Sequence, residues 1–82
     1  MEIVERVARV LAGQQYSRNA HGEGPSGVAV SDLVDMHWRE HTDDALAVLR
    51  TLREPTAEMC AAGGPGAAES WEKMVRTAIG EN

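Results

Sequence analysis

The sequence predicts an all-α protein, and three observations carry that expectation. Apolar residues recur at spacings of three and four along most of the chain, as they do on one face of a helix. No segment alternates with period two over more than four residues, and the only β-branched cluster is the short Val28-Ala29-Val30, which leaves little from which to build a sheet. Finally, each expected helix carries a single apolar stripe, which the helices can satisfy only by packing on one another.

The first expected helix covers about residues 2–12. Ile3, Val4, Val7, Val10 and Leu11 form its stripe, with Glu2, Glu5, Arg6 and Arg9 opposite. Gly13 is placed to end it, and the polar, Gly-rich stretch that follows predicts a surface loop, open to motion, at about 14–27. Ser31-Asp32 is the expected N-cap of a long helix over about 31–53, whose stripe is Val34, Trp38, His41, Ala45, Val48 and Leu52. Thr42-Asp43-Asp44 is a second start signal inside it, so a break near residue 42 stays open. Pro55 stops this helix, and Thr56 caps a short one over about 57–62. Gly63-Gly64-Pro65-Gly66 reads as a turn. The last helix, about 67–79, carries Trp71, Met74, Val75, Ala78 and Ile79 and ends at Gly80. Three main helices and one short one, in a single domain over 1–82, are expected to form a small bundle around Trp38, Leu49, Leu52, Trp71 and Val75.

Composition narrows the function classes. The 82 residues carry 13 acids against 8 bases, a net charge of −5, with three aromatics in all. Nonspecific nucleic-acid binding needs a basic surface to displace counterions, so DNA and RNA are not expected partners. No apolar run is long enough to span a bilayer, and Met1-Glu2-Ile3-Val4-Glu5-Arg6 lacks the basic flank and apolar centre of a secretory signal, so the expected location is cytoplasmic. The single Cys60 excludes an internal disulfide and the paired thiolates of most structural zinc sites. So little core in so short a chain also leaves room for a second copy. The Ile3-Val4-Val7-Leu11 stripe is the segment expected to pair between copies in a homo-oligomeric structural role.

The residue patterns that could carry chemistry are weak. His37-Trp38-Arg39-Glu40-His41 fits H-x-x-E-H, in which two histidines one helical turn apart hold zinc and the glutamate activates water. A metal-binding module or metal-dependent hydrolase on His37, His41 and Glu40 is therefore the alternative reading. It lacks an evident third ligand and a cleft, and His41 lies in the apolar stripe, which favours plain packing. Cys60, beside Met59 and near Glu58, reads as a packed thiol. Ser31, His37 and Asp35 show no nucleophile-elbow spacing, and the Gly-rich stretches match neither phosphate-binding pattern. No catalytic residue and no cofactor is expected, and the chain is read as a non-enzyme.

The stretch Leu49-Arg50-Thr51-Leu52-Arg53-Glu54-Pro55-Thr56-Ala57-Glu58-Met59, followed after a Gly-rich gap by Trp71-Glu72-Lys73-Met74-Val75, resembles a pattern in short phage and prophage proteins of alphaproteobacteria. There an Ala-rich helix leads into Arg-Glu-Pro-Thr, a methionine three residues on and a closing Trp-x-x-Met-Ile/Val helix. A tryptophan seven residues before the Ala-rich helix matches Trp38 and Ala45. The resemblance covers about residues 38–79. It implies a phage or prophage context but no catalytic residue, because the family carries no assigned activity. The shared residues read as caps and core: Pro55 and Thr56 at the helix junction, and Trp71, Met74 and Val75 inside.

Charge distribution is the most informative functional signal. Residues 1–30 balance, while residues 31–82 hold ten acids against five bases. Asp32, Asp35, Glu40, Asp43 and Asp44 crowd the first part of the long helix and are the candidate partner-binding residues, a negative face suited to a basic surface on another protein. The expected function is thus a small acidic phage-type binder that modulates a host protein.

Overall fold

The computed structural model describes residues 2–23 and 29–81, and for residues 19–23 the backbone only. It is all-α, with no strand among the described residues. Helix α1 spans Glu2–Glu23, α2 Val30–His37, α3 Thr42–Leu52, α4 Ala57–Gly63 and α5 Ala67–Ile79, and a 3₁₀ turn, Trp38–His41, joins α2 to α3.

Helix α1 runs well past the expected end at residue 12. The predicted loop at 14–27 is thus helical through residue 23, and residues 24–28 lie outside the described part. Glycine inside a helix costs about 1 kcal/mol relative to alanine, but Gln14, Gln15 and Arg18 propagate helix readily. Tyr16 also docks its ring 5.8 Å from that of His37 and 6.5 Å from that of His41. A tertiary contact therefore outweighs one unfavourable residue. Gly13 lies against α2, where an added Cβ would meet Val34 Cγ2 at 3.7 Å.

The expected helix over 31–53 is two helices. Its start lies at Val30 with the extended Ala29 as N-cap, not at Ser31-Asp32, and no side chain caps it. Its interruption falls at residues 38–41. His37 (φ −125°, ψ 1°) and His41 (φ −102°, ψ 8°) leave helical geometry on either side of the turn. Thr42 does not cap α3; its hydroxyl donates to the Arg39 carbonyl at 2.9 Å, while Asp43 and Asp44 sit in the first turn, where the helix dipole favours them. The junction at Pro55 and Thr56 forms as expected: the Thr56 hydroxyl accepts from the Met59 amide at 3.1 Å. Gly66 and Gly80 take positive φ, 80° and 78°, to start and stop α5.

Helix α1 packs on α2, the 3₁₀ turn, α3 and α5; α5 also packs on α3 and α4, whereas α4 packs, among the described elements, on α5 alone. The core is accordingly small. Val4, Ala8, Ala45, Leu49 and Ile79 form one buried cluster, flanked by the partly buried Ile3, Val7, Leu11, Trp38 and Leu46. Ala12 and Val75 are buried as well. Of the five expected core residues, Leu49 and Val75 are buried, Trp38 and Trp71 lie at the margin and Leu52 is exposed. Met74 is exposed, not core. The Ile3-Val4-Val7-Leu11 stripe faces the protein's own interior, so it is not free to pair between copies.

Two ionic ties hold the elements in place. Arg9 on α1 binds Glu5 at 3.1 Å and reaches Asp35 on α2 at 2.6 Å, its guanidinium 5.5 Å from the Trp38 ring centre. Past the end of α5, Glu81 binds Arg50 at 2.9 Å and Arg53 at 3.0 Å. The Arg50 hydrogen bond, aided by the charge of both arginines, holds the Glu81 carboxyl below its ordinary range. A carboxyl depressed in the folded state adds stability that is present at neutral pH and is lost as pH falls through its folded value. Glu81→Gln is therefore expected to lower the urea midpoint at pH 7 slightly, the pair being solvent-exposed. The gap between variant and parent should close on acidification; a gap that persisted unchanged in acid would separate Glu81 from this tie.

Candidate functional site

The segment from α2 through the 3₁₀ turn into α3 carries every residue singled out for binding or metal chemistry. Asp32, Asp35, Glu40, Asp43 and Asp44 are all exposed. Their engagement differs. Asp35 is held by Arg9, and Glu40 approaches His37 Nδ1 at 3.3 Å. Asp32, Asp43 and Asp44 have no salt-bridge partner among the described residues. Because the turn splits the segment, the acids divide into a pair on α2, one in the turn and a pair opening α3.

The same turn disposes the histidines. The zinc pattern places its two histidines one turn apart on one continuous α-helix, where side chains four apart share a face. Here residues 38–41 form a 3₁₀ turn, in which side chains three apart, not four, are eclipsed. His37 and His41 are both half-buried against Tyr16, and among the described residues no group of three or more His, Cys, Asp or Glu ligands is gathered anywhere. What the arrangement does is pack: Tyr16, His37 and His41 fasten the last described side chains of α1 to the bend. The guanidinium groups of Arg9 and Arg39 both lie over the Trp38 ring, the latter 4.5 Å from its centre, a pairing of cation and ring face that stabilises the bend.

A second surface lies where the sequence predicts core, at Trp71 and Met74. Helices α4 and α5 enclose an apolar groove of about 490 Å³ lined by Pro55, Met59, Cys60, Ala67, Trp71 and Met74. The two helices meet closely at the turn between them, where a Cβ on Gly63 would fall 2.6 Å from that of Ala67. Trp71 is fixed by its indole N–H, which donates to the Leu52 carbonyl at the end of α3 at 2.6 Å. The half-buried Cys60 thiol lies in this groove. The one sequence signal for such a surface was the presence of two tryptophans and four methionines in a chain whose other apolar residues are mostly small.

No family model, curated protein or solved structure matches the chain. No helix among the described residues is long and apolar enough to cross a membrane.

Proposed function

We propose that this chain acts by binding another protein through its acidic segment, Asp32 to Asp44, the partner presenting a basic surface. In the phage or prophage context implied by the resemblance over residues 38–79, that partner is a host protein whose activity the chain modulates. The observation that supports this reading is the exposure of all five carboxylates within thirteen consecutive residues, three of them without a cation partner among the described residues. Unneutralised charge of one sign steers encounter with the opposite sign over about 10 Å at 0.1 M salt.

Asp32, Asp43 and Asp44 are the residues to change, because Asp35 also ties α2 to α1 through Arg9. The triple variant Asp32→Asn, Asp43→Asn, Asp44→Asn is expected to keep its helical circular dichroism. It should also lose the host protein that the parent chain retains in affinity capture at low salt, the same protein that moderate salt elutes from the parent. Retention of that protein by the variant would sink the proposal and leave the acids as a solvated face.

A further inference from the structure

We infer that the groove between α4 and α5 is a binding site for a soft monovalent metal ion, Cu(I), held by the thiolate of Cys60 and the thioether sulfurs of Met59 and Met74. This goes beyond the acidic-segment reading and uses a different surface, so each stands or falls alone.

Sulfur converges on this one place. The described residues hold four sulfur-bearing side chains, Met36, Met59, Cys60 and Met74, and three of them line the groove. They come from two helices, Met59 and Cys60 consecutive on α4 and Met74 on α5, so no spacing in the sequence announces them. Met59 and Met74 are 39% and 66% exposed, which leaves both side chains open to an arriving ion. The Met59 sulfur accepts from the Thr56 amide at 3.5 Å, and its second lone pair stays free for a metal. Trp71, anchored by its indole N–H, adds an aromatic ring to the same wall, and aromatic ring faces attract cations.

The donor set chooses the ion. Thiolate and thioether are soft ligands that suit Cu(I), whereas magnesium, calcium and manganese take carboxylate, carbonyl or water oxygen. No carboxylate and no imidazole side chain lines the groove, and Ser70 supplies its one side-chain oxygen. Zinc is disfavoured as well, because its structural sites close with four ligands drawn from thiolate, imidazole and carboxylate. Charge then decides between the oxidation states of copper. The Cys60 thiol gives up its proton to solvent as the metal binds, so one thiolate and two neutral thioethers cancel a single positive charge. An apolar groove accepts that neutral assembly, while a divalent ion would leave net charge in it without a counterion, which is costly.

Anaerobic titration of the reduced full chain with Cu(I), in competition with the chromophoric chelator bicinchoninate, tests this. The parent is expected to take one equivalent from the chelator, and X-ray absorption at the copper edge should show sulfur neighbours alone. Loss of a ligand should cost at least what loss of an outer-shell partner does, so Cys60→Ser is expected to weaken binding by about 100-fold or more, and Met59→Leu or Met74→Leu by about 10-fold each. Leucine replaces methionine at nearly constant volume, and circular dichroism checks that all three variants fold. Met36→Leu, at a methionine that does not line the groove, should leave the affinity unchanged. A parent that yields its copper wholly to bicinchoninate would overturn the inference, as would nitrogen or oxygen neighbours in the absorption spectrum. So would methionine variants that bind as tightly as the parent, since the metal would then sit on a lone thiol.

Discussion

Leu49→Ala is expected to lower stability by about 2–4 kcal/mol, measured as the shift in urea unfolding free energy. Leu49 is 7% exposed and belongs to the cluster of Val4, Ala8, Ala45 and Ile79 that joins α1, α3 and α5. Two alanines in that cluster contribute little apolar area, so Leu49 and Ile79 supply much of what the three helices share. Truncation removes the transfer free energy of the lost carbons and leaves a void that rigid helices close only in part. A chain of this length has a total stability of about 4–12 kcal/mol, so the variant should lie near the edge of folding at ambient temperature. A loss under about 1 kcal/mol, the centre of the ordinary range for point substitutions, would show that α1 and α3 are held by other means.

Ala8→Leu is expected to cost about 1–3 kcal/mol for the opposite reason. Ala8 and Ala45 have no exposed surface at all, which marks them as sites where the cluster leaves no space for a longer side chain. The added carbons must displace Leu49 or Ile79 from their places or push a helix outward, and packed interiors resist both. Leucine and alanine differ little in helix propensity, so the effect isolates packing. Val10→Leu, two residues on at a position 58% exposed, serves as the control and should be near neutral. Equal effects at residues 8 and 10 would refute the close approach of α1 to its neighbours.

Much of the secondary structure was legible in the sequence because it is written in local signals. Thr56 after Pro55, Gly80 after Ile79 and the stripe ending in Val75 and Ile79 each act within one or two helical turns, and each element lies where those signals put it. What misled was longer in range. Gly13 and the polar residues after it read as a terminus, but Tyr16 finds His37 and His41 across a gap of more than twenty residues, and that contact carries α1 onward. Ser31 and Thr42 have capping side chains, yet the chain enters α2 one residue earlier and uses the Thr42 hydroxyl on the Arg39 carbonyl. The apolar stripes predict core, yet periodicity reports only that a face is apolar without saying what covers it. That is why Leu52 and Met74 turned out exposed. The acidic residues could be placed on the surface from sequence, but the engagement of Asp35 by Arg9 could not, because it joins two helices 26 positions apart.

The hydrogen bond from the Trp71 indole to the Leu52 carbonyl also bears on how the molecule assembles in time. It links residues 19 positions apart and supplies a partner for one of the carbonyls that a helix end otherwise leaves to solvent. The last turn of α3 is therefore completed when α5 docks, not when α3 itself winds. Ordering the two requires closing the loop that contains α4, an entropic cost met before the contact forms. Fraying at the end of α3 and detachment of α5 are therefore expected to go together.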